Sequence, residues 1–279
     1  MRTVKFGTPG QDGHPNWIRP PLKHRQATVF DIKCEDICMS GSVDLSPSKT
    51  VRNLYEQLVV RRKACHCCAG LTNPSVCNQA PFDADQIGPW TLWQGNLNSD
   101  LAIIGQDWGD TAYFTKNSGH EKVGNPTNET LRQLLSVAGV HIKPPSTEDS
   151  GGGDVFFTNA ILCLKQGGMQ AEVDPAWFAN CGKLFLRPTL DLVNPAVIVT
   201  LGQRAYETVC QVFGLRPTKF RNAVESDGIK LDSGATLVPV YHCGKRILNT
   251  HRSLEMQKHD WERVGRLLST LRNRPQDNG

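Results

Sequence analysis

Hydrophobic positions change their rhythm twice along this chain. Residues 1 to about 47 are polar and turn-rich, with Pro9, Pro15, Pro20, Pro21 and Pro47, and read as an extended or partly disordered arm. Ser46-Pro47 then has the character of a helix start, and Val51, Leu54, Tyr55, Leu58 and Val59 follow at helical spacing. From residue 100 onward, short apolar runs alternate with amphipathic stretches. Leu101–Ile104 reads as a buried strand, and Leu131, Leu134 and Leu135 mark a helix. Val155-Phe156-Phe157 begins a second strand. Asp174-Pro175 opens a helix through Trp177, Phe178, Cys181, Leu184 and Phe185, with Pro188 as a kink or break. Ala196–Leu201 is a third strand, followed by a helix from Gln203 to Phe213 that Gly214 stops. Leu237–Tyr241 is a fourth strand. Ser253 caps a last helix carrying Leu254, Trp261, Val264, Leu268 and Leu271.

Four strand–helix alternations predict an α/β fold, a three-layer α/β/α sandwich around a central four-stranded, mainly parallel sheet. The expected organisation is the arm, 1–47, and one domain over 48–279. In such sheets, ligands bind outside the carboxyl ends of the strands. The first strand ends in Gly105-Gln106-Asp107-Trp108-Gly109, the second in Thr158-Asn159, the third in Gly202-Gln203 and the fourth in Tyr241-His242. An Asp, an Asn, a Gln and a His are therefore expected at one edge.

Composition narrows the class. The chain has 279 residues, 39% hydrophobic, with a net charge of +4. Mean hydropathy is −0.37 and the pI is about 8.5. No run approaches the ~18 apolar residues of a membrane span, and no apolar leader opens the sequence, so a cytoplasmic protein is expected, nucleoid-associated if bacterial. The mild basic excess permits a nucleic-acid partner. It is concentrated between 244 and 274, where eight bases face three acids, and Lys245 and Arg246 are the candidate phosphate contacts. Ten cysteines are unusual for a reducing compartment and point to a metal site or thiol chemistry, with Cys65-His66-Cys67-Cys68 as the densest cluster.

The strand ends carry a resemblance. GQDWG at 105–109 is similar to the first motif of the uracil-DNA glycosylase superfamily, whose GQD places a catalytic Asp. The stretch 93–109 resembles the iron–sulfur branch of that superfamily, often called family four. So do VFFTNAILC (155–163), NPAVIVTLGQRA (194–205) and VPVYHCGKRILN (238–249), in the same order, and the likeness covers about 50–270. It implies that Asp107 and His242 are catalytic and that Asn159 and Gln106 contact the base. It also implies four cluster ligands, Cys65, Cys68, Cys163 and Cys181. Four thiolates hold either a [4Fe–4S] cluster or Zn²⁺, and the resemblance favours the cluster. The chain departs from family four at Asp107, where that branch has GEAPG. It departs again at Thr127, which stands in the place of the ring that stacks on uracil, and at Cys243-Gly244. Tyr113 or Phe114 is the expected substitute for the ring.

The implied function is excision of uracil or another deaminated base from DNA, opening base excision repair, by a monomer with no membrane partner. A base in a duplex must be flipped to be reached. An Asn amide offers both a donor and an acceptor to the uracil edge. Two other readings compete: a non-catalytic nucleic-acid-binding relative that keeps the fold and a structural metal, and a thiol-redox or metal-trafficking protein suggested by the Cys-rich cluster.

Overall fold

In the computed structural model, the described residues are 47–88, 96–142, 155–168 and 171–272. The expected arm lies outside them, apart from Pro47, where the first helix begins. In chain order the elements are α1 (Pro47–Lys63), β1 (Leu71–Thr72), a 3₁₀ turn (Cys77–Phe82), β2 (Leu101–Gly105), α2 (Thr111–Lys116) and α3 (Pro126–Val137). Next come β3 (Val155–Asn159), β4 (Leu164–Lys165), α4 (Pro175–Cys181), a π-helical turn (Gly182–Leu186) and α5 (Arg187–Val193). The chain continues through β5 (Val197–Leu201), α6 (Gln203–Val212), α7 (Phe220–Glu225), β6 (Ile229–Lys230), β7 (Thr236–Val240), α8 (Lys245–Thr250) and α9 (Leu254–Arg272).

The main sheet runs β3-β2-β5-β7-β6. Its first four strands are parallel, as expected; β6 adds a fifth, antiparallel edge, pairing Ile229 with Leu237. A two-residue strand carries no period, so β6 was not visible in the sequence. The same holds for the small antiparallel sheet β1–β4, which pairs Leu71 with Lys165.

Strand β2 alternates Leu101 and Ile103 toward one face with Ala102 and Ile104 toward the other. The first face packs on Leu134, Leu135, Trp261 and Val264 of α3 and α9. The second packs on Tyr55, Leu190, Tyr206 and Val209 of α1, α5 and α6. All five residues of each long strand are buried, as a sheet covered on both faces requires.

Pro188 does not break its helix. The π-helical turn Gly182–Leu186 absorbs it, with Arg187 N–H bonding to Gly182 O, and the helical path continues to Asn194, which closes it in the left-handed region at φ 46°. Gly182 sits where a Cβ would lie 2.9 Å from Val212 Cγ1, so the bulge presses close to α6. Ser253 does cap α9: its hydroxyl accepts Met256 N–H at 3.3 Å.

The topology also selects an edge. From β2 the chain crosses to β3 on one side and then returns to β5 on the other. The crevice at such a reversal, outside the carboxyl ends of β2 and β5, is where open α/β sheets bind ligands. No helix among the described residues is long and apolar enough to cross a membrane.

Candidate active site and cysteine cavity

The loop after β2 is held from below by β3. Gly105 is in register with Asn159, Ala160 N–H bonds to Gly105 O at 2.9 Å, and Ile161 N–H to Gln106 O at 3.0 Å. A side chain on Gly105 would collide with the Asn159 amide oxygen, so glycine is required here by close approach. Asn159 is 2% exposed, and its Nδ2 has no hydrogen-bond partner. A buried donor left unmatched costs roughly 1–3 kcal/mol, so a water or ligand group that accepts from Asn159 Nδ2 would be stabilising.

Asp107 follows two residues later. Its Oδ2 accepts Gln106 Nε2 at 2.7 Å, and its Oδ1 lies 3.1 Å from Lys165 Nζ. The Asp107 and Lys165 side chains are 7% and 4% exposed, so this ion pair is enclosed. Lys165 is absent from the sequence-based site. Its only signal is a cation that ends the apolar run Ile161–Leu164.

His242 stands beyond the end of β7, beside Gly202, whose φ of 93° demands glycine and whose Cβ would meet His242 Cβ at 3.7 Å. The residue is solvent-accessible. Desolvation pulls its pKa below the ordinary value, opposed by the nearby charge of Asp107. Its Nδ1 accepts the N–H of Gly244 at 3.0 Å. A neutral ring that accepts at Nδ1 carries its proton on Nε2, facing away from that bond. Gln257, fully buried, donates to His242 O at 3.3 Å and fixes the backbone. Gln257 escaped the sequence reading, and Gly244 entered it only as a departure from the family pattern, because neither residue type announces a role.

The aromatic expectation divides. Asp110 caps α2, accepting Tyr113 N–H at 2.7 Å. Tyr113 and Phe114 are consecutive, so they leave the helix about 100° apart. Phe114 is wholly enclosed in the core, edge-on to Trp108, and presents no open face to a base. Tyr113 stays partly exposed, its ring edge-on to Trp108 and its hydroxyl donating to Glu121 at 3.1 Å. Burial pushes the Glu121 carboxyl above its usual range. Thr127, at the N-terminus of α3, lies against the His242 loop: its carbonyl accepts Cys243 Sγ at 3.4 Å.

Lys245 and Arg246 open α8, and both are exposed. Other bases of the C-terminal stretch are engaged within the fold. Arg252 pairs with Asp260 at 2.6 Å, Lys258 with Glu255 at 2.7 Å, and Arg263 donates to Val224 O.

Cys65, Cys68, Cys163 and Cys181 line one cavity of about 90 Å³, together with Arg62 and Phe185. A hydrogen bond with Cys181 draws the Cys68 thiol down to about 7, and Asn180 Nδ2 also donates to its sulfur at 3.5 Å. Burial, reinforced by Cys65 and Cys68, pushes Cys163 up to about 12. Among the described residues, no three His, Cys, Asp or Glu side chains close on a point that would hold a single ion. The thiols instead surround a space. The wall is firm: Arg62 forks onto Asp83 at 2.7 and 2.9 Å, with both side chains 1% exposed.

Asp107, Asn159 and His242 thus stand just beyond the carboxyl ends of β2, β3 and β7 of the parallel sheet. Residues 92–265 match the family described as the uracil DNA glycosylase superfamily, and the chain belongs to that superfamily. It is therefore a glycosylase-type hydrolase with DNA as its substrate. The chain is similar to a type-5 uracil-DNA glycosylase of Pyrobaculum aerophilum, with 24% identity over 223 residues, 75% of this chain and 91% of that protein.

Proposed function

We propose that this protein excises uracil, or a deaminated base with the same edge, from DNA, with Asp107, Asn159 and His242 as the working residues. The observation that carries the reading is the buried, unmatched amide donor of Asn159, held against Gly105 just below Asp107. Uracil O4 satisfies that donor, and the Asn159 carbonyl accepts from N3–H. Tyr113 supplies the ring that borders the base.

Breaking the glycosidic bond leaves positive charge on the sugar and negative charge on uracil O2. The Asp107 carboxylate stabilises the first and positions the attacking water. His242 meets the second with Nε2–H, and its neutral state suits this role: the ring donates a hydrogen bond without first losing a proton. A preorganised donor of this kind is worth about 10²–10³ in rate. Gln106 steadies the carboxylate, and Lys245 and Arg246 contact phosphates beside the crevice.

Cys65, Cys68, Cys163 and Cys181 share the lining of one cavity, which suits a [4Fe–4S] cluster, with Zn²⁺ as the alternative. Cys65, Cys68, Cys163 and Cys181 would hold it. Such a cluster would supply cross-linking and not bond chemistry: these cysteines would join the segment after α1 to the segments after β3 and at the end of α4. The protein acts as a monomer, and residues 48–279 form its catalytic domain.

Single-turnover excision from a uracil-containing duplex, read by alkaline cleavage of the abasic product, tests the assignment. Asp107→Asn and His242→Ala should fold, bind uracil-DNA and cut it far more slowly. Wild-type rates in both folded variants would remove the active site from this edge.

A further inference from the structure

Lys165 stands at the end of β4, with its side chain against Asp107. Its position is fixed by backbone on two sides. Lys165 N–H bonds to Gly109 O at 3.0 Å, within the GQDWG loop, and residue 165 forms a parallel bridge with Asp110. On its other side it pairs with Leu71 of β1. The Nζ reaches both oxygens of Asp107, 3.1 Å from Oδ1 and 3.3 Å from Oδ2.

Counting acceptor directions shows what this does. A carboxylate oxygen has about two lone-pair directions. On Oδ2 they are met by Gln106 and Lys165; on Oδ1 Lys165 meets one. The direction left on Oδ1 is the one available to water or to the sugar. Without the ammonium, the carboxylate could turn about its Cβ–Cγ bond, and its charge would stand unbalanced in an enclosed site.

We propose that Lys165 is a positioning residue for the excision reaction: its ammonium locks the Asp107 carboxylate so that one oxygen direction faces the reacting sugar and water. The inference rests on the role given to Asp107 above. It also gives the small β1–β4 sheet a purpose, since that sheet sets where the ammonium stands.

A double-mutant cycle tests it. Single-turnover rates and binding to uracil duplex are measured for wild type, Asp107→Asn, Lys165→Met and the double variant, each checked for folding by circular dichroism. Misplacing a reacting group by about 1 Å costs on the order of 10² in rate, and Lys165→Met should lose about that much while binding uracil-DNA as wild type does. In the Asp107→Asn background the same change should cost nothing further. An equal loss in both backgrounds overturns the proposal, because Lys165 would then act independently of Asp107. So does a wild-type rate in Lys165→Met. Lys165→Gln, which retains a donor amide, replaces Lys165→Met in the cycle if the latter does not fold. If neither folds while Asp107→Asn does, Lys165 serves the fold alone and the proposal falls. A wild-type rate in Asp107→Asn removes the underlying reading instead, whereas a slow Asp107→Asn beside a fast Lys165→Met removes only this inference.

Discussion

The Nδ1 atom of His242 accepts the backbone N–H of Gly244, two residues further along the chain, at 3.0 Å. That one bond sets the ring's tautomer, its orientation and its response to acid. It sits where the resemblance was weakest, at Cys243-Gly244.

Acid should switch the enzyme off. Desolvation holds the His242 pKa below its ordinary 6.5, so the ring is neutral at and above neutrality. Protonation on Nδ1 would break the bond from Gly244. Single-turnover excision should be flat from neutral into mildly alkaline pH and should fall as pH drops through the depressed value. The sign for stability is the same: the contribution is complete above the unfolded histidine pKa and is lost as pH falls through the folded one. A His242→Gln variant should lack this acid limb in its rate profile.

Gly244→Ala should cost rate without costing the fold. The φ of −70° suits any residue, so the requirement is space: an added Cβ would lie 2.9 Å from His242 Nδ1 and 3.1 Å from Cε1. Displacing the ring forfeits the Nε2 donor, an effect of about 10²–10³ on the chemical step. Rapid-quench rates and a thermal melt, measured together, separate the two effects.

Asn159→Asp should change which base is read. The acceptor-only carboxylate faces O4 of uracil unfavourably but matches the exocyclic amine of cytosine. The expected result is slower uracil excision and a gain on cytosine, read from paired oligonucleotides that differ only at the target base.

Cys163→Ala should lose iron and solubility together. Metal binding that joins distant segments adds directly to folding free energy. Iron and sulfide analysis of freshly purified protein checks this; a folded wild type with neither iron nor zinc would contradict it.

Lys245 and Arg246 should account for a defined part of the salt dependence. Each phosphate contact contributes about −0.9 to the slope of log K against log salt on duplex DNA. Replacing both by alanine should flatten the slope by about 1.8 if both touch phosphate. Titrations by fluorescence anisotropy at several salt concentrations would read it.

How much of this was legible follows from the range over which each signal acts. Strands β2, β3, β5 and β7 were visible because both faces are buried, so each prints a mostly apolar run such as Val197–Leu201, interrupted only by Thr200. Their shared edge follows from the parallel arrangement alone, and it carries Asp107, Asn159 and His242 at the ends of three strands. What could not be read depends on single contacts between segments remote in sequence. Lys165 meets Asp107 across 58 positions, and no local pattern encodes that. The helices α2 and α8 have six residues each, too few for a period to emerge. Phe114 was offered as a stacking ring because sequence gives adjacency but not the side of the helix on which a ring lies.

The unmatched amide of Asn159 has a consequence for turnover. A planar carbonyl bound beside Asn159 Nδ2 adds a buried hydrogen bond to the bound state. Uracil offers that carbonyl equally well after the bond is cut. The free base should therefore raise the melting temperature and compete with DNA for the pocket. In repeated cycles the enzyme would then be limited by how readily it lets its product go.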